Sequence, residues 1–317
     1  MSRSLQFLFA TLAGTLLAQN PPKPATPGFC ENLGRGVEKF DRVASADPWF
    51  DVFRLDPQTF AIFEPRQTEH VLSYLLVGEK RALLFDSGFG IGRIDQVVKA
   101  LTPLPVTVLN SHTHYDHDGG NFAFTDIIAV DSEYTRNHAR GTPNQIVSYN
   151  VSPGYVCEPL PAGISVETYS TRAYPISRTI HDGEKFDLGG RELEFLLTPG
   201  HTPDAVTVLD RSHHQMLTGD TFYPGNLWLF VPETDLAAYQ RSIERLARLA
   251  PSFDVLRPAH GRPEADPKLL AAVLKGLAEV KAGTAKFDSR NDRRTGEARR
   301  FYRFEGFSML TQDPPKF

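Results

Sequence analysis

Four side chains of the kinds that commonly bind metal ions lie within six consecutive positions of the chain. They are His112, His114, Asp116 and His117, in the run Asn-Ser-His-Thr-His-Tyr-Asp-His-Asp-Gly-Gly-Asn at residues 110–121. In an extended segment His112 and His114 point the same way, because strand side chains alternate with a period of two. Imidazole nitrogens and a carboxylate suit zinc, or iron or manganese. So short a segment cannot complete the coordination of an ion, and the fold must bring further ligands to it.

Three later segments share one pattern, in which an apolar strand ends and a potential ligand stands in the turn beyond it. The ligands are His201, Asp220 and His260, and each has a glycine beside it that lets the backbone turn sharply near an ion. Strand ends at one edge of a sheet converge on one place, as they do in open α/β folds. The sequence therefore predicts one site at a sheet edge, with room for one metal ion or two.

Apolar runs and helical repeats alternate along the chain and predict an α/β fold. Strands are predicted at residues 59–64, 71–77, 82–85, 106–109, 127–130, 191–197, 205–209, 215–217, 253–256 and 300–310, the last of them at a sheet edge. Helices are predicted at residues 94–101, 236–249 and 269–280. Strands in runs with helices between them indicate sheets packed together with helices outside. Residues 132–180 carry no regular pattern and can supply a lid over the site.

The first eighteen residues predict a secretory signal peptide. Residues 1–18 hold one cation, Arg3, no acid, and an apolar run that is too short for a stable membrane span. A membrane anchor or a disordered tail is the alternative. A proline-rich linker and N-terminal arm follow at residues 19–45, and one catalytic domain at residues 46–317. The mature protein is then expected to be periplasmic or secreted, with no stable membrane insertion after signal cleavage.

The two cysteines bear on the cellular compartment of the protein, and its net charge bears on the partners that it can bind. Cys30 and Cys157 are either one disulfide that pins the N-terminal arm, as an exported protein allows, or two unrelated thiols. The formal net charge of −4 is mild and of the wrong sign for a nucleic-acid binder. We therefore expect a small-molecule substrate and no nucleic acid. The sequence does not indicate an oligomeric state.

The series of ligand motifs as a whole resembles that of the metallo-β-lactamase superfamily. His-x-His-x-Asp-His is followed by a distant Gly-His-Thr, then by Gly-Asp and by a last Ala-His-Gly, in order within residues 59–262. This resemblance implies an α/β fold of four layers, an αββα sandwich. It also implies two Zn²⁺ ions, with iron or manganese as the alternatives.

The resemblance assigns a role to each ligand. The first metal would be held by His112, His114 and His201. The second would be held by Asp116, His117 and His260, and Asp220 would bridge both. Asp86 matches an aspartate that in many relatives supports the ligands without binding metal, by accepting the other N–H of a ligand histidine or by fixing its loop. The remaining histidines are expected at the surface or in the core: His70, His138, His181, His213 and His214.

The chemistry implied by two such ions is metal-assisted hydrolysis. Two cations that share a water lower its pKa from roughly 15.7 toward about 7, so that hydroxide forms at neutral pH. Asp116 can orient this nucleophile or carry a proton to the leaving group, and Tyr115 can donate a hydrogen bond to the developing oxyanion. Aromatic residues after Asp220 either wall a substrate pocket or pack beneath the sheet. These are Phe222, Tyr223, Trp228 and Phe230.

The leading hypothesis is an exported dinuclear hydrolase of a small ester, thioester, lactone or β-lactam. Asp220 stands where true β-lactamases of the superfamily usually carry Cys or Ser, and Asp there is similar to glyoxalase II-type thioesterases and lactonases. The alternatives are a mononuclear iron enzyme of the persulfide dioxygenase type and a phosphodiesterase on the same fold. His117 and His260 complete a second metal site and so favour hydrolysis over the dioxygenase. A non-catalytic metal-binding protein would be expected to lack a second-site ligand, and none is missing.

Overall fold

The computed structural model describes Cys30, residues 36–292 and residues 295–317. The signal peptide predicted at residues 1–18 and most of the linker lie outside the described residues, and the domain division at residue 46 stays a prediction. No helix in the described part of the chain is long and apolar enough to span a bilayer.

An eight-stranded sheet occupies the first half of the chain. Its strands are β1 (Asp41–Val43), β2 (Asp51–Asp56), β3 (Thr59–Phe63), β4 (Leu72–Val77), β5 (Ala82–Phe85), β6 (Val106–Leu109), β7 (Ile127–Val130) and β8 (Arg178–Ile180). They lie in chain order, antiparallel from β1 to β5 and parallel from β5 to β8. Direct turns suffice for the antiparallel pairs, whereas the parallel strands need longer crossovers. The carboxyl ends of β5 and β6 therefore meet at one edge.

A second sheet packs face to face on the first. Its strands are β9 (Glu184–Asp187), β10 (Glu192–Leu197), β11 (Val206–Asp210), β12 (Gln215–Gly219) and β14 (Val255–Pro258). The strands from β9 to β12 are antiparallel, and β14 pairs with β12 in parallel. Apolar side chains of both sheets fill the space between them, among them Tyr74, Leu83, Leu109, Phe195, Val208 and Leu217.

Helices cover the outer faces of the two sheets. The described helices are α1 (Ile94–Leu101), α2 (Tyr115–Asp118), α3 (Glu133–His138), α4 (Asn144–Val147), α5 (Leu236–Leu249) and α6 (Leu269–Lys281), with 3-10 turns at Asn121–Ala123, Ser148–Val151 and Ala250–Ser252, and of these the short α2 lies beyond the end of β6 at the sheet edge. In α1, Val97 and Val98 share one apolar face and are buried against the first sheet. In α5, Tyr239 and Ile243 are buried against the second sheet together with α6. The predicted four-layer αββα sandwich is confirmed.

A third, smaller sheet lies beside the outer layer of α5 and α6. Its strands are β13 (Asn226–Leu229), β15 (Phe287–Asn291), β16 (Ala298–Phe304) and β17 (Phe307–Gln312). The prediction of one strand at residues 300–310 is wrong, because Glu305 and Gly306 form a turn between β16 and β17. Gly306 has a φ of +84°, which glycine adopts without strain. Strand β13, which is not among the predicted strands, pairs with β17 in parallel.

Residues 132–180 cover the outer face of the first sheet beside α1. Val147, Val151 and Tyr169 belong to the same apolar cluster as the buried face of that helix. Cys30 and Cys157 form a disulfide, with their α carbons 5.6 Å apart, so that the N-terminal arm is tied to this segment. Of the two alternatives left open for these cysteines, the disulfide is the one that the fold adopts.

Candidate metal centre

All seven predicted ligands lie at one edge of the two packed sheets, each just beyond a strand end. His112 and His114 follow β6, and Asp116 and His117 lie in the short helix α2. From the second sheet, His201 follows β10, Asp220 follows β12 and His260 follows β14. The structure brings these side chains together although the first and last are separated by nearly half the chain.

Three imidazoles form one group, which we call the three-histidine group. The Nε2 atom of His112 lies 2.9 Å from Nδ1 of His114. The same Nδ1 atom lies 3.3 Å from Nε2 of His201. Two nitrogens that ligate one tetrahedral zinc at about 2.0–2.1 Å are roughly 3.3 Å apart, so the spacing is that of ligands around a single ion.

Asp116, His117 and His260 form a second group. Oδ2 of Asp116 lies 3.3 Å from Nε2 of His117 and 3.7 Å from Nε2 of His260. Asp220 lies between the two groups. Its Oδ1 atom is 3.0 Å from Nε2 of His260 and 3.4 Å from Nε2 of His117, whereas its Oδ2 atom is 3.7 Å from Nε2 of His201. The two oxygens of one carboxylate thus face different groups.

Two buried atoms of this cluster need a partner that the protein does not supply. Nε2 of His117 and Oδ1 of Asp220 are buried, and although each lies close to another ligand atom, neither has a described partner with the geometry of a hydrogen bond. Leaving such atoms unsatisfied is costly, and a bound ion or water removes the cost. Within each set of three candidate ligands, the donor atoms lie within 4.8 Å of one another. The residues present therefore fit divalent cations.

The electrostatics of the two groups differ, and both suit a cation. Burial acts to lower the pKa of His260, but the Asp220 carboxylate beside it outweighs burial and raises the pKa to about 9. Burial also opposes protonation of His117, yet the carboxylates around it raise its pKa. In the three-histidine group, burial and the neighbouring His114 lower the pKa of His201 to about 4. One group thus attracts positive charge, and in the other His201 presents a neutral imidazole, the form that binds metal.

Asp86 lies behind the ligands, at the end of β5. Its Oδ2 atom accepts a hydrogen bond from Nδ1 of His117 at 3.0 Å, and its Oδ1 atom accepts one from the backbone N–H of Ser111 at 2.6 Å. Its backbone has a φ of +66°, a left-handed conformation that is strained for a residue with a side chain. The strained backbone holds the carboxylate of Asp86 in place. This carboxylate orients the ring of His117 and the backbone at Ser111, which leads to the ligands His112 and His114.

The second ring nitrogen of each other ligand histidine also has a partner. Such contacts fix the tautomer and the ring orientation of a metal ligand. The partners and distances are the Glu69 carbonyl for Nδ1 of His260 (2.7 Å), the Trp228 carbonyl for Nδ1 of His201 (2.8 Å), the Ser111 hydroxyl for Nδ1 of His112 (3.0 Å) and the Glu233 carboxylate for Nε2 of His114 (3.1 Å).

Glu233 is the site residue that the sequence did not reveal. Its carboxylate accepts hydrogen bonds from Nε2 of His114 and, at 2.7 Å, from the hydroxyl of Tyr134. Burial acts to raise the pKa of Glu233, but these hydrogen bonds outweigh it and lower the pKa to about 2. In the sequence Glu233 only precedes Asp235, the N-terminal cap of α5, and no motif distinguishes it. Its role is visible only in the folded chain, from its contact with His114 and its place in the lining of the cavity.

At two positions next to ligands the backbone lies so close to neighbouring residues that only glycine fits. Gly219 precedes Asp220 and has a φ of +50°, and a Cβ atom there would lie 2.2 Å from Cβ of Ser111. Gly200 precedes His201 and has a φ of +147°, and a Cβ atom there would lie 2.3 Å from Cα of Tyr239. A side chain at either position would displace the turn that carries Asp220 or His201 from the residues packed against it.

A cavity of about 250 Å³ opens onto the ligands. Tyr115 lines it, and the hydroxyl of Tyr115 contacts that of Tyr149. Burial raises the pKa of Tyr115, so its hydroxyl keeps the proton that a hydrogen-bond donor needs. The other lining residues outside the ligand set are Glu69, His138, Thr142, Ile146, Tyr223, Trp228, Val231, Pro232 and Glu233.

The four aromatic residues considered as pocket walls divide into two pairs. Tyr223 and Trp228 line the cavity. The expectation is wrong for Phe222, which is fully buried and packs against Phe307 in the outer layer. It is also wrong for Phe230, which is 4% exposed and stacks behind Trp228 with ring centroids 5.3 Å apart. Successive side chains of β13 point to opposite faces of the strand, so Trp228 points outward while Leu227 and Leu229 point into the core.

Comparisons with known proteins agree with this site. A family model described as the metallo-beta-lactamase superfamily matches residues 66–259. The chain is 27% identical over 185 residues to the acyl-coenzyme A thioesterase MBLAC2 of Gallus gallus, a match that covers 56% of this chain and 66% of that protein, just under two thirds. It is 24% identical over 199 residues to the probable metallo-hydrolase YqgX of Bacillus subtilis (strain 168), covering 61% of this chain and 86% of that protein.

Solved structures show the same fold. A metallo-beta-lactamase from Pontibacter korlensis superposes with a TM-score of 0.53 at 22% identity, covering 72% of this chain and 99% of that one. The MIM-2 metallo-beta-lactamase superposes with a TM-score of 0.52 at 18% identity, covering 81% of this chain and 97% of that one. At these identities the likeness concerns the fold alone. Because the family model matches well over half of the sequence, the chain belongs to the metallo-beta-lactamase superfamily.

Proposed function

We propose that the protein is a hydrolase that uses two metal ions to cleave a small thioester. The observation that carries this proposal is the position of Asp220, whose two carboxylate oxygens face different ligand groups. The three-histidine group would hold one ion. Asp116, His117 and His260 would hold the other, with Asp220 between them. Zinc suits this donor set, and iron and manganese are the alternatives.

The chain's own residues are placed for proton transfer and for stabilising charge. Bound divalent ions would lower the pKa of a coordinated water to about 7 and polarise the substrate carbonyl. Asp116 lines the cavity beside His117 and His260, so its carboxylate can take a proton from the attacking water and pass it to the leaving thiolate. Tyr115 can donate its hydroxyl proton in a hydrogen bond to the developing oxyanion. A C–O bond forms, the C–S bond breaks, and a carboxylic acid and a thiol leave.

The choice of a thioester rests on the relatives and on Asp220. The relative from Gallus gallus is named an acyl-coenzyme A thioesterase, and the family model that matches residues 66–259 spans every predicted ligand except His260. An aspartate at position 220 is similar to the thioesterase and lactonase branches of the superfamily, whereas true β-lactamases usually carry Cys or Ser there. Thioesters are therefore expected to be cleaved faster than oxyesters, lactones or β-lactams.

A substrate panel tests this proposal directly. One preparation of the metal-loaded protein would be assayed on a thioester, an oxyester with the same acyl group, a lactone, a β-lactam and a phosphodiester, each with and without a chelator. We expect chelator-sensitive hydrolysis with the highest kcat/KM for the thioester. A phosphodiester or a β-lactam as the best substrate would overturn the thioesterase proposal. Oxygen consumption with one bound iron per chain would instead favour the dioxygenase.

We also propose that the protein is exported to the periplasm or secreted. The apolar run within residues 1–18 supports this, as does the Cys30–Cys157 disulfide, since disulfides persist in oxidising compartments. Expression of the full chain followed by fractionation and mass measurement tests it. We expect a product outside the cytoplasm that lacks residues 1–18. A full-length product in the cytoplasm with free thiols would overturn it.

A further inference from the structure

We propose that the cavity selects acyl groups that are uncharged and apolar and excludes acyl groups that end in a carboxylate. This inference rests on the proposed acyl hydrolysis at the same site and narrows its substrate class. The walls of the cavity, an exposed isoleucine at its rim and the charges that line it each point to this selectivity.

Two apolar walls flank the ligands. One wall comes from β13 and the loop after it, with Trp228, Val231 and Pro232 facing the cavity. The other wall comes from the segment around α4, where Thr142 and Ile146 line the cavity. Walls of this kind bind apolar groups by removing both surfaces from water. An acyl chain whose carbonyl lies at the metal ligands would run between them.

Ile146 marks the outer end of this path. Two large hydrophobic side chains are exposed in the described part of the chain, Ile146 at 56% and Phe287 at 43%. Only Ile146 lies on the cavity. It is held there because the next residue of α4, Val147, is fully buried in the core. Exposed apolar surface at the rim of a binding site is covered when an apolar ligand binds.

The charges on the cavity are unfavourable for an anionic acyl group. Glu69 and Glu233 line it, in addition to the ligand carboxylates of Asp116 and Asp220. The ligand carboxylates offset the charge of the ions that they would hold. None of the described residues that line the cavity is a lysine or an arginine. A second carboxylate on the substrate would meet like charges and would find no lysine or arginine to pair with, and such mismatches reject ligands strongly.

Binding of a matched pair of hydroxamic acids to the metal-loaded protein tests this selectivity. Hexanohydroxamic acid and adipic acid monohydroxamate have the same metal-binding group and the same number of carbons, but only the second ends in a carboxylate. We expect calorimetry to give at least about tenfold tighter binding of hexanohydroxamic acid. Equal affinity, or a preference for the adipic compound, would overturn the proposal.

Variants then locate the selectivity. Ile146→Asp should weaken binding of hexanohydroxamic acid at least about fivefold, whereas Ile146→Leu keeps it. The matched control is Phe287→Asp, which changes the other exposed hydrophobic residue far from the cavity and should bind both compounds as the wild type does. Glu69→Gln should raise the affinity for the adipic compound. Loss of binding in Phe287→Asp to the same extent as in Ile146→Asp would contradict a role for Ile146 in the cavity.

A pair of thioesters separates this inference from the proposed function. Butyryl and succinyl thioesters of N-acetylcysteamine share a small neutral leaving group and differ at the far end of the acyl chain. Faster hydrolysis of the butyryl thioester supports both proposals. Equal hydrolysis of the two overturns the selectivity and leaves thioesterase activity standing. Hydrolysis of neither, with the hydroxamic acids still discriminated, overturns the thioesterase activity and supports the selectivity.

Discussion

Oε1 of Glu233 lies 3.1 Å from Nε2 of His114, and this contact turns Nδ1 of the same ring toward the three-histidine group. Five residues earlier, the carbonyl of Trp228 accepts a hydrogen bond from Nδ1 of His201 at 2.8 Å. Two of the three imidazoles in this group are therefore oriented by the loop that also walls the cavity. Substrate contacts and ligand orientation depend on the same short segment of chain.

Replacement of Glu233 by alanine should weaken metal binding at the three-histidine group. Without the carboxylate, His114 loses the partner that fixes its tautomer, and such losses typically reduce metal affinity about 10–100-fold. Competition with a chromophoric chelator measures the affinity without any substrate. Glu133→Ala, at an exposed glutamate in the first turn of α3, is the control and should bind metal as the wild type does. Wild-type affinity in Glu233→Ala would refute this role.

Replacement of His260 by alanine should remove one ion and leave the other. His260 belongs to the group with Asp116 and His117, and the three-histidine group does not use it. Elemental analysis after gel filtration should therefore find about one metal per chain in His260→Ala and two in the wild type. His214→Ala, at a histidine in a surface turn, should keep both. A variant that still retains both ions would show that His260 is not a ligand.

The ligands were the part of the site that the sequence could predict. His112, His114, Asp116 and His117 are adjacent in the chain, so their chemistry is visible without knowledge of the fold. His201 and His260 stand after apolar strands, and the ends of packed strands meet at a sheet edge. The helices at residues 94–101 and 236–249 were also predictable, because each buries one apolar face at helical spacing.

Asp86 was expected from the resemblance to support the ligands, but the other supporting residues could not be found in the sequence, because their roles exist only in the folded chain. Glu233 contacts His114 across more than a hundred residues of sequence. The aromatic residues after Asp220 are similar in type, and only the folded chain shows that Trp228, on the partly exposed face of β13, lines the cavity while Phe222, which precedes β13, is fully buried. The turn at Gly306 likewise divides an apolar run that had the pattern of a single strand.

Replacement of Gly219 by alanine should destabilise the fold more than a positive φ alone would, because the added Cβ atom would also clash with a neighbour. A Cβ atom there would lie 2.2 Å from Cβ of Ser111, at the point where β12 meets the histidine segment. The matched control is Gly163→Ala, because Gly163 also has a positive φ but a Cβ atom added there would have no other atom within 4 Å. Urea denaturation should show Gly219→Ala to be less stable than the control by about 1–3 kcal/mol. Equal stabilities would contradict the close contact.

Glu64 gives stability a pH dependence of its own, to which the nearby carboxylate of Asp116 contributes by raising the pKa of Glu64. Its buried carboxyl group accepts hydrogen bonds from Nε1 of Trp49 at 2.7 Å and from the backbone N–H of Phe89 at 2.9 Å. Burial outweighs these bonds and raises the pKa of Glu64 from 4.5 to about 7. Because the folded state holds its proton more tightly than the unfolded chain, stability is full below pH 4.5 and falls as the pH rises through 7.

Glu64→Gln cannot ionise and so isolates this effect. The free energy of unfolding of the wild type, relative to Glu64→Gln, should fall by about 3 kcal/mol between pH 4.5 and about pH 8. Urea denaturation of both proteins at several pH values measures the difference. A difference that stays constant over this range would mean that Glu64 has an ordinary pKa in the folded protein.

Titration of metal into the metal-free protein, with hydrolysis of a butyryl thioester followed throughout, tests the two-metal site most directly. If hydrolysis needs a metal ion in both ligand groups, we expect no hydrolysis without metal. The rate should rise mainly as the second equivalent of metal per chain binds. Full activity at one equivalent, or hydrolysis that survives complete removal of metal by a chelator, would contradict it.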